Sequence, residues 1–472
     1  MKQFNAFLIG LILVVFAGCS NTEEVNKPKY IFYFIGDGMG PAQVTATQGV
    51  MALSSDSIGL LDLSFTNFPT RGMINTTSDN RFITGSAAAG TALSTGFKTS
   101  INTIGMNADH TRPLKSVSYY AKESGKKVGI ITSVSIDHAT PSAFYAHQPH
   151  RSMAYEIAKE IVDTDFDYFA GGGFHYRKGK SGDLEDLYTI MSDKNYVITD
   201  TREGFDALSD TSQNHILFSP VMQGGASLPY AIDQNGSAFT IADYTRKGIE
   251  LLNNDKGFFM MVEGGKIDWA CHGNDFATMV DEVKDFSNAV QVAIDFYNKY
   301  PKETLIIVTA DHETGGLSLG NNELHYDTRI QYCDVQKISL ETFGNMLIDF
   351  KVNKGSYSEL KTIISDNFGL GADAKFQINE REQKILELAY KAYVLDDKDA
   401  ASKFNSEVLY GSSNPIVTTV CNIINSRLGI SWGSNSHTAL IVPLYVQGAG
   451  HLLFEDCTDN THIPNKIKSL LK

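Results

Sequence analysis

Short apolar runs recur along the chain and have the length and the β-branched or aromatic content of buried strands. The runs are Tyr30–Ile35, Val128–Val134, Phe258–Val262, Leu305–Thr309 and Leu440–Val446. Helical patterns lie between them, such as the apolar stripe from Val283 to Tyr297, which stops before Pro301. Strands that alternate with helices predict an α/β fold that is doubly wound, with a mostly parallel central sheet and helices on both of its faces.

A different pattern occupies residues 319–428. Capping-box spacings at Ser356 with Glu359 and at Asn379 with Glu382 each precede an amphipathic run, and Gly369 follows the end of the first run. We therefore expect residues 319–428 to form a largely helical insertion, or lid, that overhangs the functional site. The main domain is then built from residues 29–318 and 429–472.

The N-terminus carries a targeting pattern. Lys2 precedes an apolar run from Ala6 to Ala17, which is shorter than the roughly 20 residues that a membrane span requires. Phe16–Cys19 resembles a bacterial lipobox, which predicts a lipoprotein signal peptide over residues 1–18, a membrane-anchoring lipid on Cys19 and a tether over residues 19–28. The protein would then be an exported bacterial lipoprotein, periplasmic or on the outer membrane. An ordinary secretory signal with an incidental cysteine is the alternative.

The composition is that of a folded protein and argues against nucleic-acid binding. The 472 residues are 42% hydrophobic, which is enough for a core, and 40 Lys and Arg against 54 Asp and Glu give a net charge of −14. Nucleic-acid binders need a basic face, so we expect no nucleic-acid binding surface. Apart from Cys19, the cysteines are Cys271, Cys333, Cys421 and Cys457. Their spacing shows no metal pattern, and both free thiols and two disulfides remain open.

Carboxylates and imidazoles follow the predicted strands. In chain order, these side chains are Asp37, then His138 with Thr140, then Glu263, Asp268 and His272, and finally Asp311 and His312. The ligand site of a doubly wound sheet lies outside the carboxyl ends of its strands, so we expect all of them at one edge. His437 precedes the last predicted strand and reaches the same edge if that strand is antiparallel to the others.

Such a cluster repels itself unless cations neutralise it. Imidazoles mixed with carboxylates suit zinc, whereas carboxylates with a hydroxyl suit magnesium. Asp268 and His272 are four residues apart, so one helical turn presents both to the same metal ion. The sequence therefore predicts a metal centre at this edge of the sheet.

Ser86 is the candidate nucleophile. It opens a run of small residues that predicts a helix ending at Gly96. A serine at a helix N-terminus is usually a cap. The same position also offers free amides and the positive end of the helix dipole to a phosphate, and a hydroxyl beside zinc loses its proton without a histidine base.

The combination of these runs resembles the alkaline phosphatase family. The motifs FIGDGMG, SAAAGTALSTG, HATPSAFYAH, VEGGKIDWACH, TADHETGG and the SHTA around His437 stand in family order and cover nearly the whole mature chain outside the insertion. The resemblance implies an exported enzyme that hydrolyses phosphate monoesters through a phosphoserine intermediate. It also implies two zinc ions and one magnesium ion as cofactors, and it leaves a homodimer open.

The resemblance further implies a role for each residue. Ser86 would attack phosphorus, and Arg151 would clamp the phosphoryl oxygens with a bidentate contact. The implied ligands are Asp268, His272 and His437 for the zinc at the leaving-group oxygen, Asp311 and His312 for the zinc that activates the serine, and Asp37, Thr140 and Glu263 for magnesium, with Asp37 bridging the second and third sites.

Departures from the family pattern concern the surroundings of these residues. His138 and Trp269 stand where the best-studied bacterial form has Asp and Lys, which implies that His138 orders water at the third metal rather than ligating it. Gly85 replaces the Asp that usually orients the clamp arginine. We therefore expect Arg151 to be mobile in the free enzyme, unless another residue, for example from the insertion, holds it.

Relatives with the same metal scaffold are the alternative functions. A sulfatase needs Pro where Ala88 stands, and diesterases usually lack counterparts of Glu263 and Arg151. A phosphotransferase that uses an alcohol acceptor stays open. A lipoprotein that binds phosphate without turnover would not need Ser86.

Overall fold

The computed structural model describes residues 27–234, 236, 238–408 and 414–472. The predicted signal peptide, Cys19 and most of the predicted tether lie outside the described residues. The strands are β1 (Tyr30–Gly36), β2 (Thr70–Ile74), β3 (Lys127–Thr132), β4 (Tyr168–Gly171), β5 (Tyr196–Thr199), β6 (Asn214–Phe218), β7 (Phe258–Gly264), β8 (Thr304–Thr309), β9 (Glu313–Thr314), β10 (Leu317–Leu319), β11 (Ile430–Trp432), β12 (His437–Thr438) and β13 (Val442–Gly448).

The α-helices of the described residues are α1 (Pro41–Leu53), α2 (Ser86–Thr95), α3 (Val117–Glu123), α4 (Ala139–Ser142), α5 (Ala154–Lys159), α6 (Leu187–Asp193), α7 (Arg202–Ala207), α8 (Ile241–Leu252), α9 (Lys266–His272), α10 (Phe276–Lys299), α11 (Leu340–Val352), α12 (Tyr357–Phe368), α13 (Glu380–Val394), α14 (Lys398–Glu407), α15 (Pro415–Leu428) and α16 (His462–Leu471).

A nine-stranded sheet in the order β2-β13-β8-β1-β7-β3-β4-β6-β5 forms the centre of the protein. Each pair from β8 to β5 is parallel, and β13 is antiparallel to both β8 and β2. The predicted mostly parallel sheet is confirmed. The antiparallel direction of β13 brings its beginning to the edge where the parallel strands end.

Helices cover both faces of the sheet. Alternate residues of β1 point to opposite faces, and both sets of side chains contact other elements. On one face the ring of Phe34 packs edge-on against Phe286 of α10, with the ring centres 5.9 Å apart. On the other face the ring of Tyr33 contacts Phe144, and its hydroxyl donates a hydrogen bond to the carbonyl of Leu93 in α2. Every residue of β1 is buried, as expected for a central parallel strand.

The five predicted strands are present, with their ends shifted by at most two residues. The sequence pattern missed β2, β4, β5 and β6, which are four or five residues long. β2 and β5 lie at the two ends of the sheet, where some side chains are exposed and the continuous apolar run of a buried strand is absent. The short pairs β9 with β12 and β10 with β11 were also missed.

Residues 319–428 are largely helical, as predicted, and contain α11 to α15. Both predicted capping boxes are present, at Ser356 with Glu359 and at Asn379 with Glu382. Gly369 ends α12 in the left-handed conformation, with φ of 60°. β10 and β11 pair where the chain enters and leaves this region, so the two ends of the helical region are joined by a short antiparallel sheet. The division into a catalytic domain and an insertion stays a prediction.

The four described cysteines are buried free thiols, so the structure favours thiols over disulfides. Among the described residues, the helices lack the length and apolar character that a membrane crossing requires.

Candidate active site

The predicted site residues meet at the carboxyl edge of the sheet. Asp37 directly follows β1, Glu263 lies near the end of β7, and Asp311 and His312 follow β8. Asp268 and His272 lie on α9, and Thr140 lies on α4 with His138 as its N-cap. His437 lies on β12, which pairs with β9 so that His437 stands opposite Thr314.

Asp268, His272 and His437 form the first group. Nε2 of His272 lies 3.3 Å from Oδ2 of Asp268 and 3.1 Å from Nε2 of His437. Nε2 of His437 lies 3.5 Å from Oδ1 of Asp268. The three predicted ligands of one zinc ion are therefore in mutual contact.

The hydrogen bonds behind the rings fix their tautomers. Nδ1 of His272 lies 2.6 Å from the carbonyl oxygen of Asn435, and Nδ1 of His437 lies 2.9 Å from that of Thr84. A carbonyl only accepts, so both Nδ1 atoms carry a proton, and Nε2 is the atom of each ring that can bind a metal ion. Burial lowers the pKa of His272, but contact with the Asp268 carboxylate outweighs burial and raises it to about 9, so this ring has to release its Nε2 proton when it binds a cation. The two Nε2 atoms lie 3.1 Å apart, a separation that a proton or a metal ion between them accommodates. Neighbouring ligands of a tetrahedral zinc, each about 2.0–2.1 Å from the metal, stand roughly 3.3 Å apart.

His312 belongs to a second group, with Asp37 and Asp311. Its Nε2 lies 3.3 Å from Oδ1 of Asp37, 3.3 Å from Oδ2 of Asp311 and 3.2 Å from Oγ of Ser86. The hydroxyl of Thr314 donates to Asp268, so its oxygen accepts from Nδ1 of His312 across 3.2 Å. The Nε2 lone pair of His312 therefore also points into the cluster, next to the candidate nucleophile.

The third group contains Asp37, Thr140, Glu263 and His138. Oγ1 of Thr140 donates to Oδ2 of Asp37 across 3.3 Å, and Thr132 donates to Oε2 of Glu263. A nitrogen of His138 lies with carboxylate oxygens of Asp37 and Glu263 in one set whose atoms are within 4.8 Å of each other. His138 thus stands as close to the predicted magnesium site as a ligand would. Its role as a water-ordering residue stays a prediction.

Buried carboxylate oxygens without a hydrogen-bond partner show whether the site suits metal ions. Oδ1 of Asp37, Oε1 of Glu263 and Oδ2 of Asp311 are buried and lack a hydrogen-bond partner among the described residues. Leaving such acceptors unpaired costs about 1–3 kcal/mol each, and more when they are charged. Carboxylate oxygens mixed with imidazole nitrogens are ligands that zinc accepts, and carboxylates with the Thr140 hydroxyl suit magnesium. The donor set therefore fits metal ions.

The pKa values of the carboxyl and imidazole groups in the site are shifted by burial and by the crowding of like charges. Burial raises the pKa of Asp37 and of Asp311 well above the usual range, and nearby carboxylates raise both further. Burial also raises the pKa of Glu263 to about 7. Burial lowers the pKa of His312 well below its usual value, so this imidazole stays neutral. Without a cation the site cannot hold all its carboxylates ionised, and a bound cation reverses that balance.

Ser86 is the first residue of α2 rather than its cap, because Gly85 occupies the N-cap position without a side-chain bond. The Ser86 hydroxyl is therefore free to face His312. The first-turn amides of α2 and its dipole favour an anion at the same place. The helix ends at Gly96 in the left-handed conformation, as predicted.

Arg151 is held by His138. Nη2 of Arg151 lies 2.9 Å from Nε2 of His138, and the ring of Trp269 packs edge-on against that imidazole. The structure therefore favours the alternative that another residue holds the guanidinium, and that residue is the N-cap of α4 rather than part of the insertion. The mobility of Arg151 stays a prediction.

Sequence reasoning overlooked a set of residues that orient the site. Glu313 is fully buried and accepts hydrogen bonds from Gln43, from the amide of Gly316 and from Thr438. Thr314 links Asp268 to His312. Glu313 and Thr314 lie inside the TADHETGG run, so position next to Asp311 and His312 was the available signal. No feature of the sequence pointed to Gln43 on α1.

Comparisons with known proteins agree with this geometry. The family model described as alkaline phosphatase matches residues 28–472. The chain belongs to the alkaline phosphatase family. Alkaline phosphatase 4 of Bacillus subtilis (strain 168) is 32% identical over 97% of this chain and 94% of its own length. The cold-active alkaline phosphatase of the psychrophile Shewanella sp. is 28% identical, with a TM-score of 0.77 over 94% of this chain and 100% of its own.

The alkaline phosphatase of Thermus thermophilus is 25% identical and also has a TM-score of 0.77, over 95% of this chain and 93% of its own. The family match includes residues 319–428, which the motif resemblance did not reach. This chain is therefore a phosphomonoesterase of the metal-dependent alkaline phosphatase type.

Proposed function

We propose that this enzyme hydrolyses phosphate monoesters in two steps through a phosphate ester of Ser86, at a site for two zinc ions and one magnesium ion. One observation carries the proposal: the Nε2 atoms of three histidines and the unpaired oxygens of buried carboxylates converge beside the Ser86 hydroxyl. We assign the ligands as Asp268, His272 and His437 to one zinc ion, Asp37, Asp311 and His312 to the other, and Asp37, Thr140 and Glu263 to magnesium.

When bound, these ions would neutralise the crowded carboxylates, lower the pKa of a coordinated hydroxyl and stabilise charge on the entering and leaving oxygens. In the first step, Oγ of Ser86 loses its proton and forms a bond to phosphorus while the bond to the ester oxygen breaks, and the departing alkoxide takes up a proton. In the second step, water attacks phosphorus, the bond to Oγ breaks, and Ser86 recovers its proton as inorganic phosphate leaves.

Arg151 and α2 bind the phosphoryl oxygens in both steps. The guanidinium offers a planar pair of donors, and the amides at the start of α2 add uncharged donors next to Ser86. His138 orients the guanidinium beforehand through the 2.9 Å contact. Less side-chain freedom is then lost when phosphate binds.

Trapping the phosphate ester tests the nucleophile. Labelled phosphate, quenched with acid and followed by peptide mapping, is expected on Ser86 and on no other residue. Ser86→Ala should lose the label and most turnover while it keeps its metal content, because the ligands lie on other elements. Ser94→Ala on the same helix is the matched control and should keep the label. Label on another residue would refute the assignment.

We also propose that the enzyme is exported and anchored through a lipid on Cys19, where it releases phosphate from monoesters outside the cytoplasm. The lipobox-like Phe16–Cys19 supports this. Cys19→Ser should move the protein from the membrane fraction to the soluble exported fraction, with unchanged specific activity. A mature wild-type N-terminus that begins after Cys19 would exclude the lipid anchor.

A further inference from the structure

A cluster of lysines lies at the amino edge of the sheet, where the parallel strands β8, β1, β7 and β3 begin. The register places Tyr30 of β1 beside Phe258 of β7 and Thr304 of β8. Lys127 of β3 stands beside Phe258 on its other side. The segments that lead into these strands are therefore neighbours, because adjacent strands lie about 4.8 Å apart. Segments 27–29, 124–127, 253–257 and 299–303 carry Lys27, Lys29, Lys126, Lys127, Lys256, Lys299 and Lys302.

Two of these lysines fasten the segments to each other. Nζ of Lys126 donates to three backbone carbonyls, those of Pro28, Lys29 and Lys256, across 3.2, 2.7 and 3.2 Å. Nζ of Lys127 also donates to backbone carbonyls. The other five form what we call the lysine face: Lys27, Lys29, Lys256, Lys299 and Lys302. Lys29 is half-buried, and the remaining four are exposed.

The lysine face is positive, although the chain as a whole carries a net charge of −14. Asp255 and Glu303 are the carboxylates of the same four segments, so the lysines outnumber them. Glu123, which directly precedes segment 124–127, is neutralised by an ion pair with Lys115. A patch of excess positive charge on an acidic protein indicates an anionic partner.

The predicted tether joins the sheet at this same edge. Seven residues separate Cys19 from Lys27, so a fully extended chain between them spans at most about 28 Å. Lys126 holds the carbonyl of Pro28 at the amino edge. A lipid on Cys19 would therefore keep the lysine face within this distance of the bilayer. Contact between the face and the bilayer then becomes intramolecular, with an effective concentration in the millimolar range that is typical of short linkers.

An exposed aromatic ring favours a lipid partner. Tyr300 lies between Lys299 and Lys302 in the sequence and is 38% exposed. Its ring packs against Tyr30 and Phe296, with ring centres 5.7 and 4.9 Å apart. Tyrosine is enriched where a membrane meets water, because its ring lies at the level of the head groups. Lysines around such a ring match the phosphates of anionic lipids.

We propose that the lysine face rests on the anionic phospholipid surface of the membrane to which the enzyme is anchored. The inference rests on the proposed lipid on Cys19 and adds an orientation to it. The carboxyl edge then points away from the bilayer. The seven residues of β1 rise about 3.3 Å each, so the candidate active site lies roughly 20 Å above the lysine face. The screening length is about 8 Å at physiological ionic strength, so the lipid phosphates do not repel a phosphate monoester at the site.

Lysine acetylation of the anchored enzyme tests this orientation. The purified mature lipoprotein is added to preformed vesicles, either of phosphatidylcholine alone or of phosphatidylcholine and phosphatidylglycerol in equal parts. The acetylation rate of each lysine is then measured by mass spectrometry. With phosphatidylglycerol, the lysine face should react at least about threefold more slowly, which corresponds to a docked population of about two thirds or more. Salt at about 1 M shortens the screening length to about 3 Å and should remove the difference.

Glutamine substitutions test the lysine face itself. The test variant combines Lys256→Gln, Lys299→Gln and Lys302→Gln. Each lysine near an anionic membrane strengthens association about fivefold, so this variant should lower the ratio of docked to undocked enzyme about 100-fold and leave Lys27 and Lys29 unprotected.

The matched control removes the same charge from exposed positions on α12, α13 and α14. It combines Lys361→Gln, Lys384→Gln and Lys403→Gln and should keep the protection of the lysine face. In the wild type, these three lysines should react at the same rate in both kinds of vesicle. Both triple variants should hydrolyse an aryl phosphate like the wild type, which shows that they are folded.

The possible failures of this test are distinguishable. Equal acetylation rates in the two kinds of vesicle, or equal loss of protection in both triple variants, would overturn the inference alone. Protection in native membranes but not in vesicles of pure lipid would mean that an acidic protein covers the face, which overturns lipid as its occupant. Wild-type enzyme that floats with neither kind of vesicle would refute the lipid on Cys19 and this orientation with it, but not hydrolysis through Ser86.

Discussion

Nη2 of Arg151 donates a hydrogen bond to Nε2 of His138 across 2.9 Å. A guanidinium only donates, so Nε2 of His138 carries a lone pair and its proton resides on Nδ1. Burial, with the charge of Arg151 as a further cause, lowers the pKa of His138 to about 3, so the ring stays a neutral acceptor at neutral pH. The imidazole therefore supplies to Arg151 the acceptor that Gly85 cannot.

His138→Ala should weaken phosphate binding. Without its acceptor, the long Arg151 side chain has to be ordered when phosphate binds, at a cost of about 0.5–1.5 kcal/mol. The inhibition constant for phosphate should rise about 2- to 10-fold. His150→Ala, one residue before Arg151 and exposed, is the control and should leave the constant unchanged. Metal analysis of both variants is needed, because His138 also lies beside Asp37 and Glu263. An unchanged constant at full metal content would contradict the prediction.

Removal of the metals should abolish hydrolysis and lower thermal stability together. The buried carboxyl groups of Asp37, Glu263 and Asp311 then lose their counter-charge and take up protons, because burial and neighbouring carboxylates raise their pKa values. A cation present at about 1,000 times its dissociation constant stabilises the folded state by roughly 4 kcal/mol, so calorimetry should show a lower Tm after chelation. Zinc with magnesium should restore both activity and Tm. Full activity of protein shown to be metal-free would exclude the metal centre.

The sequence predicted which residues meet at the carboxyl edge of the sheet better than it predicted the strands at the two ends of the sheet, and the reason is physical. Central strands such as β1 and β7 are buried on both faces and produce continuous apolar runs, and the residues after them must lie at one edge. The edge strands β2 and β5 lack such runs. The contact of Arg151 with His138 was not predictable, because it depends on how the chain folds back over the N-cap of α4.

Glu313→Gln should weaken zinc binding without removing a ligand. The Glu313 carboxylate accepts from Thr438 on β12, beside His437, while its own backbone pairs with that strand. The glutamine amide replaces one acceptor oxygen by an NH₂ group, which only donates. This group then competes with the donors that Glu313 binds now, including Gln43 and the amide of Gly316. Loss of such an orienting partner typically costs 10- to 100-fold in metal affinity.

Zinc titration of the metal-free enzyme measures the effect of Glu313→Gln. Glu387→Gln on α13, where the half-exposed carboxylate pairs with Lys391, is the matched control and should titrate like the wild type. If Glu313→Gln binds zinc as tightly as Glu387→Gln, Glu313 contributes only to folding and does not position His437.

Gly85→Asp tests whether Arg151 is oriented by His138 or needs a carboxylate at position 85. Gly85 has φ of −131°, so any residue can adopt its backbone, and an added Cβ would lie 3.3 Å from Cδ1 of Ile101 and 3.9 Å from Cε1 of His437. The backbone amide of Arg151 donates to the carbonyl of Asn102, which places the arginine loop next to Ile101. We therefore expect a carboxylate at position 85 to accept from the guanidinium after a small shift of Ile101.

Because His138 already holds the guanidinium, Gly85→Asp alone should change the phosphate inhibition constant by less than about twofold. In the His138→Ala background the same substitution should recover most of the lost phosphate affinity, about 2- to 10-fold, because it supplies the missing acceptor. The two substitutions are therefore expected to be strongly non-additive in a double-mutant cycle. An equal gain in both backgrounds would mean that Arg151 is mobile in the wild-type enzyme and that its contact with His138 does not restrain it.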